Sequence, residues 1–347
     1  MVITHFTKPV PSGAISAQSE RQASYRFLAS ARSLIFLLVT FLTLSTSVQA
    51  AAPAAIADVT AFGEDAQAVL AWTAPSDGGS AITDYLVEYK LSTSGTWLTF
   101  SDGVSTNATA TVTSLTNASL YNFRVSAING DGTATASNTA SATPMVLLVQ
   151  DDFDSRTNGS IDGQNGWAIN TGTTWTVGAG GSGKIVVSGT ATYPTNYVAQ
   201  GDQSWVNQRV KVDFLAGTTK PVIWLRKQDK SGTGDGYMLR RESSTWYIEK
   251  YISQGSGLVT LASAATPVTL TGGSWYTIDV SVIDNSDGNP VLTAYVYAQG
   301  GSRPATSFLT YTDTGENFTE GYVALGANGF ATSFDNAAIY GTTEEGV

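Results

Sequence analysis

The sequence predicts an all-β chain built as two successive sandwiches. Three observations carry that prediction. Composition is rich in Gly, Thr, Ser, Val and Tyr and poor in Lys and Glu, which favours strands and turns over helices. Apolar residues recur with period two in many short runs, and no amphipathic stretch of period 3.6 follows residue 50. Clusters of Gly, Asn, Asp and Pro punctuate those runs at close intervals, as turns do between short strands.

The first fifty residues stand apart. Arg21, Arg26 and Arg32 precede an apolar run from Ser33 to Leu44, and Val48 and Ala50 are small enough for a signal-peptidase pocket. Residues 1–50 therefore read as a signal peptide cut after Ala50. The run is short for a bilayer span and no later segment rivals it, so no membrane partner is expected after cleavage. Cleavage removes His5, the only histidine, with Lys8, Arg21, Arg26, Arg32 and Glu20. Losing four cations and one anion takes the net charge from −10 to −13. The sequence has no cysteine. Processing thus excludes imidazole bases, thiol nucleophiles, thiolate metal sites and disulfides. The acidity argues against nucleic acid as a partner. A secreted or cell-surface location follows.

Residues 52–145 read as a small first domain. Gln67–Thr73 alternates with Ala68, Leu70 and Trp72 on one face, and Pro75–Ser80 is turn chemistry. Ile82–Lys90 places Tyr85, Val87 and Tyr89 together; Ala108–Val112 is a short Thr-rich strand. Leu120–Ala127 turns Tyr121, Phe123, Val125 and Ala127 inward, and Asn129-Gly-Asp-Gly132 signals a hairpin. Trp72, Tyr85, Leu115 and the run Tyr121–Gly130 resemble a fibronectin type III domain. The resemblance implies an immunoglobulin-like sandwich in which Tyr121 bonds back to the backbone at the corner before its strand. It implies a spacer more than a ligand-binding role. The linker Ala142-Thr-Pro-Met145 is short and Pro144 stiffens it, so restricted interdomain angles are expected.

Residues 146–342 read as one larger domain, with 343–347 as a tail. Strands are expected at 147–151, 175–177, 184–187, 196–199, 208–215, 221–227, 236–241, 245–251, 266–270, 275–283, 290–297, 306–312, 321–326 and 331–340. Such a series implies a sandwich or barrel. Asp151-Asp-Phe-Asp154, Val222-Ile-Trp-Leu-Arg226, Gly236–Arg240, Gly273-Ser-Trp-Tyr276, Glu320–Gly326 and Ser333–Tyr340 together resemble the concanavalin A-like (laminin-G-like) jelly rolls. That resemblance implies two curved antiparallel sheets, a concave face that often carries the ligand, and in some members a structural calcium. The pairing of the two domain types points to a bacterial source.

Chemistry is harder to find than binding. Hydrolases of the jelly-roll class carry Glu-x-Asp-x-x-Glu on one strand, and that pattern is absent here. Only Glu242 and Glu249 could meet, and Arg240, Arg241 and Lys250 beside them suggest solvated salt bridges. Arg240-Arg-Glu-Ser243 is only faintly similar to the Arg-rich strand of the jelly-roll lyases, whose histidine element is missing. Sugar recognition needs flat apolar faces and planar polar groups. If Ile223, Leu225, Tyr237, Leu239, Trp246 and Ile248 are core, alternation puts Trp224, Arg226, Arg240, Tyr247, Glu249 and Tyr251 on one groove face. Asp151, Asp152 and Asp335, near the joined ends of the domain, are the candidate calcium ligands. Asp284–Gly288 reads as a hairpin turn. The expected function is a non-catalytic protein binding a polysaccharide or cell-surface glycan. The alternatives are a glycoside hydrolase or polysaccharide lyase, and a structural surface or filament subunit that self-associates.

Overall fold

A computed structural model describes residues 50–170, 174–178, 185–188, 196–230, 232, 234–315, 317–328 and 332–343. The expected signal peptide lies, but for Ala50, outside the described residues. In the first domain β1 (Thr60–Glu64), β2 (Gln67–Ala71) and β5 (Thr109–Thr113) form a three-stranded sheet in the order β1-β2-β5. The second sheet joins β3 (Ile82–Leu91), β4 (Leu98–Phe100), β6 (Tyr121–Asn129) and β7 (Gly132–Thr133) in the order β4-β3-β6-β7. Strand β8 (Ala140–Ala142) also pairs with β6. Period-two alternation delivers Ala68, Leu70, Tyr85, Val87, Phe123 and Val125 to the core between the sheets, with Trp72 following β2. Trp72 and Tyr85 meet edge to face at 5.0 Å. The Tyr121 hydroxyl accepts a hydrogen bond from the Thr116 amide at 3.1 Å, which closes the expected corner. Asn129 builds the β6–β7 turn by accepting from the amides of Asp131 and Gly132.

The larger domain is a sandwich of two antiparallel sheets. One has the order β10 (Gly159–Ser160), β12 (Thr174–Val177), β13 (Ile185–Ser188), β24 (Ser333–Thr343), β15 (Trp205–Leu215), β20 (Trp275–Asp284), β21 (Pro290–Ala298), β22 (Leu309–Thr312). Strand β9 (Val146–Asp151) adds to β24 and makes this sheet nine-stranded. The other has seven strands, ordered β11 (Ala168–Ile169), β14 (Tyr197–Gln200), β23 (Tyr322–Ala327), β16 (Pro221–Lys227), β17 (Gly236–Glu242), β18 (Thr245–Ile252), β19 (Gly257–Ala265). Val210, Val212, Phe214, Ile278 and Val280 from the first sheet meet Ile223, Leu225, Leu239, Trp246 and Ile248 from the second in one core. The Asp284–Gly288 segment is the β20–β21 turn, where Asn285 Oδ1 accepts from the amides of Asp287 and Asn289.

One strand expectation fails. Residues 266–270 are not a strand; the strand there is β19, which precedes them and pairs with β18. Pro267 lacks an amide to donate, while the Thr-, Ser- and Ala-rich β19 carries too little alternation to be seen in advance.

Residues 51–347 form one compact unit. The first domain docks on the outer face of the nine-stranded sheet. Arg209 of β15 donates to the Gly63 carbonyl at 3.0 Å and to Glu64 at 3.3 Å. It also pairs with Asp279 through Nε at 2.8 Å and Nη2 at 2.7 Å. Phe62 meets Tyr295 edge to face at 5.4 Å, and the Arg303 guanidinium lies between those two rings. Gly63 allows a close backbone approach, since a Cβ there would lie 1.9 Å from the Thr143 carbonyl oxygen of the linker.

Candidate functional site

The face of the seven-stranded sheet turned away from the main core carries a second, smaller apolar cluster. Tyr197, Ala199, Val222, Trp224, Met238 and Ala324 form it, with Tyr251 and Leu258 packed against them. Register explains the grouping: Trp224 pairs with Met238 and Ala324, Met238 pairs with Glu249, and Arg240 pairs with Val222 and Tyr247. Five of the six expected groove residues, Trp224, Arg240, Tyr247, Glu249 and Tyr251, therefore share this face.

Their exposures differ. Trp224 is only 1% exposed and forms the floor, with Tyr197 and Tyr251 each 6.3 Å from it between ring centroids. Tyr247 and Tyr251 are half-buried and offer ring surface to solvent. Between them sits a charge network. Arg240 donates to both Glu249 oxygens at 2.7 and 2.9 Å, and its third nitrogen reaches Glu242 at 3.2 Å. Its guanidinium lies 4.8 Å from the centre of the Tyr247 ring. Glu242 also binds Lys220 and accepts from Asn328 at 3.0 Å, and Thr260 donates to Glu249 at 3.2 Å. The expectation of solvated salt bridges around this hairpin fails for Arg240 and Glu249, which are 8% and 1% exposed.

Arg226 is the residue that the expectation misplaced. Its φ of 49° breaks the strand alternation, and the β16–β23 register shifts between Trp224 and Lys227. The Arg226 side chain turns to the other side of the sheet and donates to the carbonyls of Val206 and Phe318 at 2.9 and 2.8 Å. It lies 2.9 Å from Asp284 of the opposite sheet. Lys227 takes its place on the groove face. That ammonium stands 4.5 Å from the Tyr197 ring centre and 5.0 Å from that of Trp224, bonded to Asp229 at 2.6 Å. Burial lowers the Lys227 pKa against the opposing pull of Asp229. The signal for this bulge was two glycines, Gly236 and Gly321: a Cβ on Gly321 would lie 2.5 Å from the Arg226 backbone, and one on Gly236 3.0 Å from Lys227. Lys227, Glu242, Lys220 and Thr260 are thus groove residues that the sequence reading did not place.

The three candidate calcium ligands differ in their surroundings. Asp151 is buried and its carboxylate accepts from the Phe153 amide, Arg156, Asn165 and the Trp167 indole, the last at 2.8 Å. Those donors leave it no free lone pairs for a cation. Asp152 is exposed and caps the Asp154 amide at 3.1 Å. Asp335 is half-buried; burial, with the nearby charges of Asp154, Asp213 and Asp152, raises its pKa to about 6. Among the described residues no three His, Cys, Asp or Glu side chains converge as metal ligands do. No helix among them is long and apolar enough to cross a membrane.

Residues 52–143 match the fibronectin type III domain family. The chain carries a fibronectin type III domain followed by a larger β-sandwich region. Fast-type myosin-binding protein C of Homo sapiens is 32% identical over 157 residues, which is 43% of this chain and 12% of that protein. The Mus musculus protein is 36% identical over 108 residues, or 28% of this chain and 9% of its own length. The chain thus spans a small part of the curated relatives that it matches. Among solved structures, a fibronectin-III-like protein from Clostridium thermocellum overlaps 28% of this chain and 98% of its own, at 20% identity and a TM-score of 0.23. The carbohydrate binding module CBM66 from Bacillus subtilis overlaps 53% of this chain and 98% of its own, at 13% identity and a TM-score of 0.36. Overlaps this loose carry no argument about function.

Proposed function

We propose that the chain is an exported, non-catalytic glycan-binding protein, in which the fibronectin type III domain presents a concanavalin A-like module. The observation that carries this reading is the groove face itself. It sets the ring surfaces of Tyr247 and Tyr251 beside a planar Arg240–Glu249 pair whose hydrogen bonds fix its orientation. Ring faces suit the C–H surface of a pyranose; the buried Arg240–Glu249 pair packs against the Tyr247 ring and fixes it, and the part-exposed Glu242 carboxylate held by Arg240 suits a hydroxyl. Hydrolysis finds less support. Both glutamates on this face are tied to the same guanidinium, so neither is held as a free proton donor. The partner is a polysaccharide or cell-surface glycan.

The test is retention on insoluble polysaccharides and a glycan panel, with the eluate assayed for new reducing ends and unsaturated uronate. Binding without product is expected, weakened at least about tenfold in Tyr247→Ala/Tyr251→Ala, because each lost ring contact is worth about 1 kcal/mol. Trp224 is unsuitable for this test, since its truncation opens the floor of the groove and destabilises the fold. Turnover of any saccharide would overturn the reading, as would unchanged retention by the double variant.

A further inference from the structure

Seven arginines lie among the described residues, and six have a carboxylate partner: Arg124 with Glu88, Arg156 with Asp151, Arg209 and Arg303 with Asp279, Arg226 with Asp284, and Arg240 with Glu249. Arg241 is the exception. It follows Arg240 in β17 and so points to the opposite side, toward the end of the main core beside its pair partner Trp246. There one nitrogen donates to the Thr219 carbonyl at 2.8 Å, and Nε is buried with no acceptor. Burial alone lowers its pKa, with no opposing anion. Arg241 is half-buried, so a guanidinium there with one orphaned N–H and no counter-ion carries a desolvation cost that a bound anion would offset.

The guanidinium borders a cavity of about 380 Å³, shared with Ser244 of the β17–β18 turn and residues 266–270 of the loop that crosses between the sheets. Ser244 and Thr269 line that space, and among the described residues their hydroxyls have no hydrogen-bond partner, whereas Thr266 is tied to the Ser244 carbonyl at 2.9 Å. We propose that Arg241, Ser244 and Thr269 form an oxyanion-binding site that takes a carboxylate or sulfate group. The guanidinium, which has no carboxylate partner, supplies charge, the two hydroxyls supply donors, and Val268 and Leu270 give the pocket an apolar wall. This site lies on the other side of the sheet from the groove and does not depend on glycan recognition there.

The experiment is thermal melting of the whole processed chain in phosphate-free buffer, with sodium sulfate or sodium glucuronate against sodium chloride at matched ionic strength and against glucose. At ten times the dissociation constant, a bound oxyanion should raise Tm by about 2 to 4 °C above the chloride control. Arg241→Gln should abolish that increment whatever its own baseline Tm, and Ser244→Ala, in an exposed turn, should shrink it while folding normally. A shift with sulfate alone that Arg241→Gln loses assigns the site to sulfated ligands, one with glucuronate alone that Arg241→Gln loses assigns it to uronates, and a sulfate shift that Arg241→Gln keeps is general salt exclusion and overturns the proposal. Equal increments in wild type and Arg241→Gln would overturn the proposal, and so would no increment with either oxyanion. Failure to bind any neutral glycan would count against the groove and leave this result untouched.

Discussion

Glu249 holds the groove together at the residue scale. Its carboxylate compensates Arg240 at a position with almost no solvent, and Glu242 touches the same guanidinium only through a longer bond. Glu249→Gln should therefore cost about 3 kcal/mol, the range for breaking a buried pair from one side, measured by urea unfolding. Arg240→Met with Glu249→Leu should recover part of that loss, because the pair goes as a unit. Asp335 makes a prediction of the opposite sign. Its folded pKa of about 6 lies above its unfolded value, so the folded state holds the proton more tightly. Stability from this group is present below about pH 4 and is lost as pH rises through 6. Asp335→Asn should raise stability at pH 7.5 by about 1 kcal/mol, after allowance for solvent screening, and leave it unchanged at pH 4. A gain of equal size at both pH values would show that charge is not the cause. Alternation read from the sequence placed Trp224, Arg240, Tyr247, Glu249 and Tyr251 together because each sits in a regular strand. It missed Arg226 because one residue at positive φ inverts every facing that follows.

At the scale of elements, the fibronectin domain is the most legible part of the chain. The spacing from Leu115 to Tyr121 encodes a contact, and the hydroxyl meets the Thr116 amide where the spacing required. Tyr121→Phe keeps the ring in its core and deletes only that acceptor. It should cost about 1 kcal/mol in urea unfolding, with the slope of the transition unchanged. The strands of the larger sandwich that bury apolar residues on alternate positions were equally readable. β19 was not: its residues are small or hydroxylated, it sits at the edge of its sheet, and its inward side chains are only partly covered. The turn and crossover after it hold Arg241 and its cavity together, so the misassigned 266–270 segment also hid the oxyanion site. Such a site depends on which chain segment crosses over a buried charge, and local periodicity carries no trace of that.

At the scale of the whole molecule, Pro144 announced a restricted linker, but nothing in the sequence marked Phe62, Arg209, Asp279, Tyr295 and Arg303 as a shared interface. They come from both domains and from distant strands, and each reads alone as an ordinary surface residue. The lock is electrostatic. Burial pushes the Asp279 carboxyl up, but the Arg209 and Arg303 guanidiniums outweigh it and bring the pKa down to about 2. Because the folded pKa is depressed, the stabilisation is present above pH 4 and is lost as pH falls through 2. Calorimetry of residues 51–347 at pH 7 should show one cooperative transition for both sandwiches. Asp279→Asn leaves the two guanidiniums facing each other with only Glu64 for compensation, so the same scan should resolve two transitions, the domains melting independently. X-ray scattering should report a larger radius of gyration for that variant at pH 7, and for the wild type only near pH 2. If wild type and Asp279→Asn melt as the same single transition with the same dimensions, the domains are held by apolar contacts such as Phe62 on Tyr295, and the buried charges are passengers.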